Sequence, residues 1–197
     1  MINNLITATI AFLATDIDDL VIMFTFYMTA KTTNPKIKQN HPVLKIFSGE
    51  LIAYLVILLL SDVASYGLRL FPKAFTNGLG AVPLFMGIKI LWDLHEEHNH
   101  KRKSTAKNIG IITLPSILSI CLADGGDNLG VYIPFFSSLS MEDLLGINIY
   151  LLALMAIWCV VGFLLSKLNG LNKVFQKYGS LITGTILIIL GFILIFK

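Results

Sequence analysis

Long uninterrupted apolar runs, rather than a 3.6- or 2-residue alternation, dominate the hydrophobic pattern of this chain. A helix crossing ~30 Å of hydrocarbon at 1.5 Å per residue needs about 20 apolar residues. Six stretches of that kind can be marked, over Leu5–Ala30, Val43–Asp62, Thr76–Asp93, Ile109–Ser138, Gly146–Ser166 and Tyr178–Phe196. The pattern therefore predicts an all-α membrane protein with six transmembrane helices. The only strongly polar insert, from His95 to Lys103, falls between the third and fourth stretches, and the other loops are short. That divides the chain into a three-helix unit at 1–93, a basic, His-rich loop at 94–108 and a second three-helix unit at 109–197. The first stretch has neither a basic leader nor a small-residue cleavage site, so it reads as a retained helix rather than a signal peptide.

Composition supports this reading. The 197 residues are 55% hydrophobic and 14% charged, where a soluble domain carries about 25% charged residues. A disordered chain, a disulfide mini-protein and a nucleic-acid binder are excluded on the same grounds. The two cysteines, Cys121 and Cys159, lie far apart inside apolar stretches and form no metal-finger or redox spacing. The net charge of +3 matters through its distribution. Lys31, Lys36, Lys38, Lys45, Lys101, Arg102, Lys103, Lys107, Lys167, Lys173 and Lys177 fall in loops on one side of the expected topology, while Arg69, Lys73 and Lys197 fall on the other. Basic loops stay inside. Both termini are thus expected to face outward from a membrane crossed several times.

The two units resemble each other. Leu13-Ala14-Thr15-Asp16-Ile17-Asp18-Asp19-Leu20 superposes on Leu122-Ala123-Asp124-Gly125-Gly126-Asp127-Asn128-Leu129, and the third helix of each unit carries Gly-x6-Gly, at Gly80 and Gly87 and at Gly184 and Gly191. Three spans per unit is an odd number, so the units must be inverted relative to each other. Inverted repeats are the plan of secondary transporters, whose site lies near mid-membrane where the repeats meet.

Acids occur where acids are expensive. Asp16, Asp18, Asp19, Glu50, Asp124 and Asp127 all fall inside the apolar stretches. Each ionised carboxylate at mid-bilayer costs about 2.5–3.5 kcal/mol, so six facing lipid would cost roughly 15–20 kcal/mol. No Lys or Arg lies near mid-membrane to neutralise them, so they must face a cavity, carry protons or hold cations. Helical spacing puts Asp16 over Asp19, and aligns Cys121, Asp124 and Asn128 on one stripe with Asp127 beside it. Gly125 and Gly126 weaken the fourth helix and Pro134 removes one of its backbone bonds, so a hinge is expected near Gly125-Gly126, where freed carbonyls would add oxygen ligands.

Carboxylate, amide and carbonyl oxygens suit hard ions such as Mn²⁺ or Ca²⁺, whereas a thiol at Cys121 favours Cd²⁺ or Zn²⁺. The metal candidates are therefore Asp16, Asp18, Asp19, Cys121, Asp124, Asp127 and Asn128. Cys159, Met23, Met28 and Met86 are simplest as packing. Glu50, after Gly49, is a candidate for proton coupling or gating. Asp62 and Asp93 read as interfacial, and His95–His100 as a solvated loop able to hold metal loosely. A carboxylate binds a proton or a metal ion, one excluding the other, and proton antiport needs no more. No P-loop is present, so no ATP-driven step is encoded. The expected partners are the transported ion and the lipid bilayer, without nucleic acid or resident cofactor, and with a homodimer left open.

These same segments carry a resemblance. Ala14-Thr15-Asp16-Ile17-Asp18-Asp19-Leu20, Ala123-Asp124-Gly125-Gly126-Asp127-Asn128-Leu129-Gly130-Val131-Tyr132-Ile133-Pro134-Phe135-Phe136 and the Gly80, Pro83, Gly87 pattern are similar to the bacterial cadmium-resistance transporter (Cad) family of the lysine-exporter superfamily. The resemblance covers the whole chain. It implies efflux of Cd²⁺, with Zn²⁺ as a second ion, from the cytoplasm. The family pattern often has Asn where this chain has Asp16 and Asp124, which leaves Asp18, Asp19, Asp127 and Asn128 as the firmer carry-over and shifts the site towards harder ions.

Two other readings compete. An exporter of small organic cations would want an aromatic box, for which Tyr54, Tyr66, Tyr132 and Trp158 are available, although interfacial anchoring accounts for such residues too. An intramembrane aspartyl protease would want Gly-x-Gly-Asp ending at Asp127, but the first position is Asp124, so the chain is not read as an enzyme.

Overall fold

A computed structural model describes residues 2–17, 19–32, 41–70, 81–96, 113–168 and 171–195, with the backbone alone for residues 28, 29, 31, 32, 93–96 and 171–180. Asp18, Gly80 and the polar loop at 97–112 lie outside the described residues. Those described form eight helices and no strand: α1 (Ile2–Asp16), α2 (Asp19–Thr32), α3 (Pro42–Leu68), α4 (Ala81–Glu96), α5 (Leu114–Asp124), α6 (Gly126–Ser137), α7 (Met141–Leu165) and α8 (Leu171–Ile195). α3 and α7 are long and apolar enough to cross a membrane, and Ala81–Trp92, Leu114–Asp124 and Leu181–Ile195 are shorter apolar helices.

Five of the six expected stretches contain a helix or helix pair displaced at its ends, and the first is corrected outright. Leu5–Ala30 is not one helix: it stops at Asp16 and restarts at Asp19. Asp19 then occupies the first turn of α2, where the positive end of the helix dipole favours a carboxylate. The freed carbonyl of Asp16 accepts a 2.6 Å hydrogen bond from Trp158 Nε1 on α7. The fourth stretch breaks where its glycines predict, at Gly125 between α5 and α6 (φ −67°, ψ 11°). α6 then runs on through Pro134 to Ser137.

The remaining shifts come from polar residues that hydropathy cannot rank. α3 continues past Asp62 to Leu68, and within it Ser61 and Ser65 satisfy their hydroxyls by donating to the carbonyls of Ile57 and Asp62, at 2.8 and 2.9 Å. α7 starts at Met141 because Ser140 Oγ accepts from the Asp143 amide at 3.1 Å, with Glu142 and Asp143 in the first turn. α5 starts at Leu114 behind a capping box made by Thr113 and Ser116.

Apolar side chains cover both the inside and the outside. Phe12, Met23, Phe26, Tyr54, Leu58, Tyr132, Phe135, Phe136 and Leu151 fill the core, while Leu59, Leu60 and Val63 on α3 and Ile149, Ile157, Val160 and Leu164 on α7 lie exposed. Such an exterior fits hydrocarbon rather than water. α4 and α8 pack backbone to backbone: a Cβ on Gly87 would lie 2.6 Å from the Gly184 carbonyl oxygen, and one on Gly191 2.7 Å from the Leu84 nitrogen. α3 lies against α5, α6 and α7; α1 and α2 lie against α7 and α8; α1 also meets α6, and α4 meets α6.

Candidate functional site

One helix positions most of the chemistry. Along α3, Glu50, Tyr54 and Asp62 follow in order; at 1.5 Å per residue, Tyr54 stands ~6 Å and Asp62 ~18 Å beyond Glu50. Each marks a separate layer of polar contacts with the second unit.

At the Glu50 layer, α3 comes close to α5, because Gly49 leaves no room for a side chain: a Cβ there would lie 2.7 Å from Ile117 Cγ2. Glu50 itself is buried, with 3% of its surface exposed. The Cys121 thiol is a near neighbour of its carboxylate. Asp19, at the start of α2, and Asp124, at the end of α5, are within hydrogen-bonding reach of each other. Asp16 and Glu50 act electrostatically on Asp19, and Asp124 acts on Glu50. Among the described residues, every charged neighbour of Asp19 and Glu50 named in these interactions is another acid. Asp16, Asp19, Glu50, Asp124 and the Cys121 thiol thus lie near enough to act on one another electrostatically around the two helix breaks. Asp124 is exposed at the edge of the group while Glu50 Oε1 is buried without a hydrogen-bond partner. No three His, Cys, Asp or Glu side chains among the described residues are arranged to hold a metal ion as they stand.

The next layer is aromatic and surrounds Asp16, which is fully buried. Asp16 Oδ2 accepts from Thr15 Oγ1 at 3.1 Å and from the Tyr132 hydroxyl at 3.2 Å. That hydroxyl in turn lies 2.7 Å from the Tyr54 hydroxyl. Phe12 meets Tyr54 and Trp158 edge to face, and Tyr132 stacks on Phe136. The residues considered for an aromatic box are thus brought together, except Tyr66, which is exposed. Their rings are used by one another and their polar atoms by Asp16. The sequence reading missed this support for Asp16. Its signal was present in the spacing, since Tyr54 follows Glu50 and Tyr132 follows Asn128 by one helical turn.

The other expected site residues are placed as follows. Asp127 sits half-buried in the first turn of α6, where its Oδ1 accepts from the Asn128 amide at 2.9 Å. Asn128 is buried and its Oδ1 has no hydrogen-bond partner. The break separates both from the α5 stripe of Cys121 and Asp124, so one continuous stripe is not formed. A Cβ on Gly125 would press on the end of the Ile57 side chain, whereas Gly126 faces open space. Cys159 is buried packing, its carbonyl accepting from the Tyr27 hydroxyl at 3.3 Å. Asp62, half-buried, accepts a 2.7 Å hydrogen bond from Asn148 on α7.

The family model of cadmium resistance transporters (Cad) matches residues 12–197, a span that holds every residue of these layers. No curated protein and no solved structure matches the chain.

Proposed function

The chain belongs to the cadmium resistance transporter family, and on that premise we propose that it is a secondary exporter that moves Cd²⁺, and Zn²⁺ as a second ion, out of the bacterial cytoplasm in exchange for protons. Cadmium-resistance transport and a membrane setting come with the family. The route, the coupling and the residues are our reading.

The observation that carries it is the convergence of Asp16, Asp19, Glu50 and Asp124 with the Cys121 thiol at two helix breaks, one from each unit. Carboxylates gathered without a cation cost more than isolated ones, because like charges add to desolvation. A divalent cation or protons relieve that cost, and the two compete for the same oxygens. A soft thiol beside hard oxygens favours Cd²⁺ and Zn²⁺ over Mn²⁺ and Ca²⁺. Asp18, Asp127 and Asn128 are the further ligands proposed from their place beside the breaks, and the carbonyls freed there are available as well. Gly125 acts as the hinge of the second unit, with Gly126 and Pro134 flanking it.

The breaks between Asp16 and Asp19 and at Gly125, together with the packing of α3 against α5 and α6 and of α7 against α1 and α2, support two inverted three-helix repeats within six spans. With basic loops inside, both termini face outward. Rocking of one repeat against the other would then expose the acid group to each side in turn.

Flux into proteoliposomes tests the proposal, with Cd²⁺, Zn²⁺, Mn²⁺ and Ca²⁺ presented under an imposed pH gradient. Cd²⁺ movement that requires the gradient and is lost in Asp124→Asn and in Asp19→Asn is the expected result. Metal flux that persists in both variants would overturn the carboxylate site. Movement of Mn²⁺ in preference to Cd²⁺ would assign the harder ions as cargo.

A further inference from the structure

The third layer on α3 has no part in binding the ion, yet it joins the two units by polar contacts. Asn148 Nδ2 of α7 donates to Asp62 Oδ2 at 2.7 Å, and the Arg69 guanidinium at the end of α3 donates to the Phe136 carbonyl of α6 at 3.0 Å. Both bonds run from the first unit to the second. Two further ties lie between α1 and α7: Asn4 Nδ2 donates to Asp143 Oδ2 at 3.0 Å, and the hydroxyls of Thr9 and Tyr150 lie 2.8 Å apart. All four involve the C-terminal parts of α3 and α6 and the N-terminal parts of α1 and α7, which is the end of the bundle opposite the basic loops.

Asp62 and Arg69 are unusual in what they leave unused. Asp62 Oδ1, Arg69 Nε and Asn148 Oδ1 are buried with no hydrogen-bond partner. A buried charged group normally has its hydrogen-bonding capacity filled, because an unfilled one bears a desolvation cost. Asp62 and Arg69 stand on the same helix two turns apart, near enough to interact through their charges. A direct carboxylate–guanidinium pair is therefore available within α3, and the present arrangement forgoes it in favour of Asn148 and Phe136.

We propose that Asp62, Arg69 and Asn148 form the gate on the release side of the exporter, a two-state element that is closed here. Closed, Asp62 and Arg69 spend their bonds across the interface and hold α3 against α6 and α7. Open, they turn to each other along α3, so the two cross-ties break without stranding a charge. The alternative partner is what makes opening accessible: breaking a tie to a buried charge that then stays unpaired is strongly unfavourable. Tyr54, Tyr132 and Phe136 close the path between this layer and the acids, so the gate and the aromatic layer must part together. The proposal rests on the exporter reading above, and goes beyond it by naming the gate.

The roles predict opposite effects for two substitutions. Asn148→Ala removes a closed-state bond and frees Asp62 for Arg69, which favours the open state. Arg69→Gln keeps an amide donor for the Phe136 carbonyl but removes the open-state partner of Asp62, which favours the closed state. The reporter is the reactivity of Cys121 towards a membrane-impermeant maleimide added from the Asp62 side of proteoliposomes, in full-length Cys159→Ala protein, with Cd²⁺ flux measured on the same vesicles. Loss of one hydrogen bond to a charged group corresponds to about tenfold in the open-to-closed ratio. Cys121 labelling is expected to quicken about that much in Asn148→Ala and to slow in Arg69→Gln, with flux slowed in both. Labelling that moves in the same direction in both variants, or in neither, overturns the gate while flux in the unsubstituted protein leaves the exporter reading standing. Absence of flux in unsubstituted protein removes the exporter reading, and the gate with it. If Asn148→Ala does not fold, Asn148→Ser carries the same prediction.

Discussion

Gly191→Ala is the sharpest test of how the two units are joined. The added Cβ would lie 2.7 Å from both the Leu84 nitrogen and Leu84 Cβ and 2.8 Å from Leu84 Cα. Carbon contacts are comfortable at about 3.5 Å, so α4 and α8 must separate locally by roughly 0.8 Å. The obstacle is largely backbone and cannot rotate away. Forced overpacking of this kind costs about 1–3 kcal/mol, and the better helix propensity of Ala returns at most ~1 kcal/mol. Gly130→Ala is the control, because its Cβ would meet Met86 Sδ at 2.7 Å, the far part of a flexible side chain. Met86 can swing aside, so Gly130→Ala should be close to neutral. Heating the detergent-purified proteins in steps and following the surviving monodisperse peak ranks them. The net cost of about 1 kcal/mol should lower the Gly191→Ala midpoint by about 2–4 °C at this chain length. An equal fall for Gly130→Ala, or none for Gly191→Ala, would refute the claim that backbone contact between α4 and α8 locks the units together.

Three further outcomes follow from local geometry. Tyr132→Phe removes the hydroxyl bonded to Asp16 and Tyr54 and strands the Tyr54 hydroxyl, so it should lower stability by about 1–3 kcal/mol and more than Tyr54→Phe does, by the same heating assay. Gly126→Ala faces open space inside a helix and should leave Cd²⁺ flux intact while stabilising by about 0.4–1 kcal/mol, whereas Gly125→Ala must displace the end of the Ile57 side chain and should stabilise less. Ser140→Ala removes the cap of α7 and should cost about 1 kcal/mol, without changing the ion dependence of flux.

Hydropathy along the chain was enough to read an all-helical membrane protein, because burial in hydrocarbon demands long apolar runs whatever the tertiary arrangement. The family resemblance was equally legible in the residues around Asp127 and Asn128, and the match over residues 12–197 establishes it. The break at Gly125 was visible because two adjacent glycines weaken a helix locally. The break between Asp16 and Asp19 was not, since no glycine or proline marks it and its support comes from Trp158, far along the chain.

What only the tertiary structure decided is which acids meet and what holds them. Spacing along one helix pairs Asp16 with Asp19, but it cannot bring Glu50 of α3 to Cys121 of α5; a close approach at Gly49 does that. Nor could it show that Tyr132, backed by Tyr54, serves a carboxylate, or that Asp62 is tied to Asn148. Sequence alone determined that carboxylates sit in a low-dielectric setting, because their type and their apolar surroundings are both written along the chain. Their partners depend on contacts between residues far apart along the chain, 78 positions for Tyr54 and Tyr132 and 86 for Asp62 and Asn148, and those exist only once α3 is packed against α5, α6 and α7.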